Sequence, residues 1–308
     1  MATVVKSKWC WFTLRFKEMS ILVFGHSGQV ALELARLGNE LKLPFFFLAR
    51  QDVDLCYPDK CEELILSRRP AAVINAAAWT AVDAAETAEA EASVVNGEAP
   101  GAMAHACAKL SIPFLHISSD YVFDGSGHNP WRPHDPVGPL GAYGRSKLLG
   151  ERLVRESGAR AIILRTSWVF SVHGANFVKT MLRLGEERSQ LNVVGDQVGG
   201  PTSASSIARS AVILIQALLK GEAGGTFHFS CTPDVSWAEF ATAIMDLAGL
   251  TCEIVPILSA DYPTAAPRPL NSRMECSSLL DVYGIPRDAW SHDLEHVLTE
   301  LKEKSDAT

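Results

Sequence analysis

The sequence predicts an α/β protein: a doubly wound parallel sheet, with a smaller C-terminal substrate-binding domain. Three observations carry that prediction. Short apolar runs alternate with helical patterns through residues 19–170. A Gly-x-x-Gly turn joins the first apolar run to the first helix. Over residues 171–308 the alternation loosens into helical stretches separated by segments rich in glycine and proline.

Taken in order, Ile21–Phe24 is a strand, residues 25–28 are a turn, and residues 29–37 carry apolar residues at helical spacing (Val30, Leu34, Leu37). Phe45–Leu48 is a second strand. Residues 58–67 form a helix with Pro58 at its start, where proline lacks no needed donor. Ala72–Asn75 and residues 114–118 are the third and fourth strands. A helix over Ala142–Glu156 leads to a fifth strand, Ala161–Thr166. Further helices are expected at residues 176–187, 205–219 and 237–248, with a proline-rich ordered loop over residues 260–273. Some of these later segments can rejoin the main sheet.

The chain has 308 residues, enough for two units at roughly 150 residues per domain. A net charge of −7 argues against a duplex nucleic-acid partner, which selects a basic face. The seven cysteines are odd in number and irregular in spacing, with no Cys-x-x-Cys, so neither a disulfide framework nor a zinc site is expected. Reduced thiols fit the cytoplasm. No apolar run approaches the roughly 20 residues that span a bilayer. Residues 1–18 lack the apolar core and cleavage site of a signal peptide and are expected to be an extension outside the fold. A short interfacial anchor is the alternative there, from Trp9, Trp11, Phe12 and Phe16 among basic residues.

The first turn, Gly25, His26, Ser27 and Gly28, with Gln29 and Val30 opening the helix, suits a pyrophosphate. Glycines permit close backbone approach, and the helix start offers free N–H groups and a positive dipole end. An ordinary tight turn is the plainer reading, and the strand–turn–helix context outweighs it. The third glycine position is Ala31, tolerated where helix packs on strand. Arg50 follows the second strand where an acid would hold the ribose of NAD. Arginine suits the 2′-phosphate instead, so NADPH is favoured, with NADH possible.

Tyr143 and Lys147 stand four apart on one helix face. A lysine charge beside a phenol is expected to lower its pKa, and the pair can pass a proton to an alkoxide formed at a ketone. Ser119, at the carboxyl end of the fourth strand, lies at the edge where open α/β sheets bind ligands. Asn75 ends the third strand at the same edge, followed by Ala76, Ala77 and Ala78, small enough for a cofactor to lie close.

These residues together resemble the extended short-chain dehydrogenase/reductase family, and within it the branch that reduces 4-keto sugar nucleotides. The resembling stretches are residues 21–34, 73–86, 117–125, 143–151, 164–184, 195–204 and 266–273, in order across residues 19–300. The resemblance implies a Rossmann-type fold and a set of roles. Tyr143 is the proton donor, Lys147 its partner and ribose anchor, and Ser119 the third member, where the family usually carries threonine. Gly25 to Val30, Arg50 and Ala76 to Ala78 would hold the cofactor. Asp120, Tyr121, Val122 and Trp168 would border the sugar, and Asn176, Lys179 and Arg268 would serve the nucleotide end. The implied reaction is reduction of the C4 ketone of dTDP-4-dehydro-β-L-rhamnose to dTDP-L-rhamnose, by a monomer or homodimer. Two other readings stand beside it: a non-catalytic regulator like the β subunit of methionine adenosyltransferase, which resembles this same branch, and a sugar-nucleotide epimerase or dehydratase of the wider family. His292-x-x-Glu295-His296 matches a zinc-protease pattern but lies in a C-terminal helix with no further ligand, so no metal is expected. The acidic run from Asp83 to Glu91 is read as helix starts, where acids meet the positive dipole end.

Overall fold

The computed structural model describes residues 20–306. The extension at residues 1–18 and the anchor reading attached to it lie outside the described residues, as does Met19.

The strands of the main sheet are β1 (Ile21–Phe24), β2 (Phe45–Leu48), β3 (Ala72–Asn75), β4 (Phe114–Ser119) and β5 (Ala161–Thr166). The helices between them are α1 (Gln29–Leu41), α2 (Pro58–Arg68), α3 (Val82–Ala85), α4 (Glu89–Ser93), α5 (Ala99–Leu110) and α6 (Ala142–Glu156). A π turn over Val94–Glu98 joins α4 to α5, and a 3-10 turn, Asp120–Val122, follows β4. The second half adds β6 (Val169–Phe170), α7 (Phe177–Glu187), β7 (Gln190–Val194), β8 (Val198–Gly199), β9 (Thr202–Ser203), α8 (Ala204–Leu219) and β10 (Gly225–His228). It ends with β11 (Val235–Ser236), α9 (Trp237–Ala248), β12 (Glu253–Ile257), β13 (Asn271–Ser272), α10 (Ser277–Tyr283) and α11 (Trp290–Asp306).

The main sheet has six strands in the order β10-β5-β4-β3-β1-β2, and every pair is parallel. Because both faces are covered, its central strands read as near-continuous apolar runs. Successive residues feed opposite cores. Ile21 and Val23, Ala72 and Ile74, Ile162 and Leu164 pack with α1 and α8 on one face. Leu22 and Phe24, Val73, Phe114 and Ile163 pack with α2, α5 and α6 on the other. Both α8 and β10 therefore belong to the sheet half, although they follow residue 170 in sequence.

A second core, containing Phe170, Val178, Met181, Leu191, Phe240, Ile244, Trp290 and Leu294, holds α7, β7, α9 and α11 together. Its strands are short and lie outside the main sheet: β12 pairs with β7, β8 lies between β11 and β13, and β6 pairs with β9. The proline-rich segment expected as a loop carries β13, whose Asn271 pairs with Val198. Among the described residues, no helix is long and apolar enough to cross a membrane.

Candidate active site

The sheet reverses its winding between β1 and β3, and the turns after these strands meet there. Gly25 has φ +120°, and a Cβ on it would lie 3.3 Å from the Ala76 carbonyl carbon. Its amide donates to Leu48 O at 3.1 Å, and the Ala76 amide donates to Phe24 O at 2.9 Å. Only glycine sits in this corner without strain. Gly28 begins α1 in extended conformation with no side-chain cap, so the first amides of the helix face outward without an internal acceptor. His26, Ser27 and Gly28 are exposed. This cradle fits a dinucleotide pyrophosphate. Val30 points into the core, so its part at the cofactor is limited to backbone. Arg50 stands exposed beyond β2 and pairs with Asp54 at 3.0 Å. The Ala77 amide donates to Asn75 Oδ1 at 3.1 Å, and Asn75 Nδ2 donates to His116 Nδ1 at 3.2 Å, which sets the second turn on a buried base.

The sheet brings Ser119, Tyr143 and Lys147 to the same edge. The Ser119 hydroxyl donates to Asp120 Oδ1 at 2.9 Å and accepts from the Tyr121 amide at 3.2 Å. The Tyr121 ring meets Tyr143 edge-on at 5.4 Å. Lys147 is buried, and its Nζ donates to Ile117 O at 2.7 Å. Burial pushes this ammonium down to about 8, with the Glu151 charge opposing. The expected lowering of the phenol by lysine is not what the arrangement produces. Burial pushes Tyr143 up to about 12, the Ser119 hydroxyl pulls it back, and the Asp120 charge adds to the rise. The reason is geometric: the ammonium is turned to the strand carbonyl, and desolvation of the phenol dominates. Asp120 is buried, and burial pushes it up to about 6 against the nearby Ser272 and Ser119 hydroxyls.

The helix that carries the pair is fixed by the acidic run. Glu86 Oε1 accepts from the Ala142 amide at 2.7 Å, and Glu89 pairs with Arg145 through both oxygens at 2.6 and 2.8 Å. Asp83 takes Arg268 Nη2 at 2.8 Å and the Ala266 amide at 3.0 Å, which pins the proline-rich segment over the site. Asn96, in the π turn, holds Trp79 from both sides, accepting from its amide at 2.8 Å and donating to its carbonyl at 3.0 Å. It also donates to Ser146 Oγ at 3.0 Å, next to Lys147.

On the opposite wall Trp168 has φ +49° and stacks on Trp237, with centroids 3.5 Å apart and planes 9° apart. A Cβ on Gly199 would come within 2.9 Å of the Trp168 indole, so glycine leaves the room this ring occupies.

Two residues expected at the substrate have side chains engaged within the fold. Val122 is fully buried, so its side chain faces the interior and only its backbone is available at the cleft. The Asn176 side chain is already engaged. It accepts from the Lys179 amide at 3.1 Å, capping α7, and donates to Gln29 Oε1 at 3.0 Å and Ser171 O at 2.8 Å. It ties the second lobe to the pyrophosphate turn. Lys179 follows it on α7, half-buried. No local pattern marks Arg165, Asn96 or Trp237, and Glu151 carries only its helical spacing from Lys147. Trp237 does open a helix with a Ser236–Glu239 capping box, a signal for the helix but not for the site. Among the described residues no group of three or more His, Cys, Asp or Glu stands close enough to hold a metal ion. His292, Glu295 and His296 lie on α11, where Asp293 instead accepts from Ser203 and Ser206.

A parallel sheet with a glycine cradle at its reversal point and a Ser–Tyr–Lys group at the same edge defines a dinucleotide-dependent oxidoreductase of the extended short-chain kind. Residues 19–303 match the family described as the RmlD substrate binding domain. The dTDP-4-dehydrorhamnose reductase of Burkholderia thailandensis is 42% identical over 291 residues, covering 89% of this chain and 96% of that one. Two solved structures of enzymes with that name superpose on nearly their whole length. The one from Clostridium acetobutylicum has TM-score 0.86 at 33% identity, covering 92% of this chain and 100% of that one. The one from Bacillus anthracis, in complex with NADP, has TM-score 0.85 at 31% identity, covering 92% and 99%. The chain belongs to the dTDP-4-dehydrorhamnose reductase family.

Proposed function

We propose that this protein reduces the C4 ketone of dTDP-4-dehydro-β-L-rhamnose to dTDP-L-rhamnose, with NADPH as reductant and NADH as an alternative. The observation that carries the reading is the one sheet edge that holds both the Gly25–Ala76 cradle and Ser119, with the Tyr143 phenol against the Ser119 hydroxyl and Lys147 on Ile117 O. A bound reduced nicotinamide supplies the hydride. The residues do the rest. Gly25 and Gly28 admit the pyrophosphate to backbone amides, and Ala76 to Ala78 leave space beside it. Arg50 is exposed beyond β2 and available to a 2′-phosphate. The Ser119 hydroxyl turns from Asp120 to the carbonyl oxygen and polarises it. A phenol pushed up to about 12 is fully protonated at neutral pH, which suits Tyr143 to give its proton to the alkoxide oxygen. Lys147, one helical turn from Tyr143 with its Nζ donating to Ile117 O, is the anchor for the nicotinamide ribose.

Trp168 and Tyr121 border the sugar from opposite walls, and Arg268, held by Asp83, lies beside Tyr121. Lys179 is the remaining candidate for the nucleotide end. Residues 19–170 supply most of the cofactor domain, with α8 and β10 returned to it, and the second core forms the substrate domain. We take the protein to act in the cytoplasm as a monomer or homodimer. The test mixes purified protein, NADPH and enzymatically prepared dTDP-4-dehydro-L-rhamnose and follows loss of reduced-nicotinamide absorbance. Oxidation yielding dTDP-L-rhamnose supports the reading. Tight NADPH binding without turnover sinks it in favour of a regulatory subunit.

A further inference from the structure

Glu151 lies one helical turn beyond Lys147, so Tyr143, Lys147 and Glu151 form a single stripe on α6. Its carboxylate is wholly buried. Arg165 of β5, also buried, donates to both oxygens at 2.8 and 2.7 Å. Arg155 adds a third contact at 2.6 Å. The fourth comes from Ser118, whose hydroxyl donates to Glu151 Oε1 at 2.6 Å. Ser118 is the cross-strand partner of Arg165, and Ser119 follows it. Thus α6 grips the end of β4 at adjacent residues, through Lys147 on the Ile117 carbonyl and through Glu151 on the Ser118 hydroxyl.

We propose that Glu151, clamped by Arg165, is a positioning residue of the reductase site: it fixes the strand end that presents Ser119 and supplies the negative charge beside the Lys147 ammonium. The inference rests on the reductase reading given above. Stability alone does not explain the pair, because a buried ion pair is often replaced by apolar residues without loss. Its placement, one residue from Ser119 and one turn from Lys147, does. Loss of the charge leaves the buried Arg165 guanidinium without its carboxylate.

The groups carried toward Lys147 by the elements packed on α6 are few. His116 of β4 is neutral, held well below its ordinary range by burial and by the lysine charge itself. Asp120 follows β4, Tyr143 shares the helix, and Arg165 comes from β5. Asp83 faces Arg268, Glu86 the Ala142 amide and Glu89 Arg145, Glu91 of α4 and Glu98 of the π turn are exposed, and His105 and Lys109 of α5 face Glu62. Glu151 is therefore the fully buried carboxylate whose charge raises the lysine.

Glu151→Gln keeps size and hydrogen bonding but removes the charge. With wild-type turnover established first, the variant is expected to lose about tenfold in kcat at pH 7.5, with KM for the sugar nucleotide little changed. Its alkaline kcat limb moves toward lower pH. The Lys147 titration, followed by NMR of ε-carbon-labelled lysine on protein without cofactor, gives the same shift directly, with the midpoint falling below the wild-type value near 8. Glu151→Asp restores part of both. Ser118→Ala keeps every charge and is expected to lower kcat about fivefold with the midpoint unmoved. A folded Glu151→Gln with unchanged kcat and midpoint, altered only in melting temperature, makes the pair merely structural. Should that variant not fold, unchanged kcat in Ser118→Ala overturns the proposal. If wild type itself does not turn over, the reductase reading fails, and the Lys147 titration midpoint still decides whether Glu151 governs Lys147.

Discussion

On the sheet side of the cleft, the chemical groups sit on strand ends and one helix, among buried charges: Ser119, Lys147, Glu151 and Arg165 are each less than a tenth exposed. On the other side the wall is a tryptophan pair and a proline-rich segment, held by two-residue strands and by the contact of Arg268 with Asp83. The first wall is set by parallel-strand register, which fixes side chains to within one residue. The second is set by loops and by aromatic contact. The first side is thus suited to charge and proton placement, and the second to shape. Damage on the first side should appear in kcat, and damage on the second in KM.

Tyr143→Phe is the strongest test of that division. It removes the transferable proton and leaves the ring against Tyr121. We expect kcat to fall about a thousandfold with KM changed little. A loss confined to KM would place Tyr143 with the binding wall.

Next in size is Gly25→Ala, which puts a Cβ at φ +120° and 3.3 Å from the Ala76 carbonyl carbon. The strain is on the order of 2 kcal/mol. Displacement of the turn should weaken NADPH by about thirtyfold in a fluorescence titration. Unchanged affinity would mean the cofactor does not use this corner.

Trp237→Ala probes the other wall. It leaves Trp168, in its left-handed backbone conformation, without the ring it stacks on. KM for the sugar nucleotide should rise about tenfold while kcat stays within about twofold, with partial rescue by Trp237→Phe. A fall in kcat at constant KM would erase the contrast between the walls.

The same contrast governs what could be read from sequence. The strands β1, β3 and β5 were legible because burial on both faces leaves near-continuous apolar runs. Tyr143 and Lys147 were legible because helical spacing alone puts them on one face, and Ser119 because it ends a strand. Strands such as Val198–Gly199 and Asn271–Ser272 were not, since two residues carry no period. Nor was the return of β10 to the sheet edge, which is a matter of topology. Trp237 is a functional candidate only through partners distant in the chain, which no local pattern encodes, and Glu151 stands at helical spacing from Lys147 but draws its role from Ser118 and Arg165 on two strands. Asn176 and Val122 show the opposite limit. Their placement followed from resemblance, and the structure has their side chains capping a helix and filling the interior.

The last expected effect, on stability and not on turnover, concerns Asp120, at the foot of the charged wall. Burial pushes its carboxyl up to about 6, above an unfolded value near 3.9. The folded state therefore holds this proton more tightly than the unfolded one. The stability this gives is fully present below about pH 4 and is lost as pH rises through about 6. At pH 7.5 the fold carries a buried carboxylate that it does not favour. Asp120→Asn removes that penalty, about 3 kcal/mol, and should raise the melting temperature by about 5 °C at pH 7.5. At pH 4, where the carboxyl is already protonated in the fold, the two proteins should melt together. An equal gain at both pH values would mean that packing, not charge, sets the difference. No gain at either would mean that the Ser119 and Ser272 hydroxyls already compensate the charge. A gain only at pH 7.5 would show that the charged wall carries its ionised acid at a cost to folding, as expected where a carboxylate serves the site and not the fold.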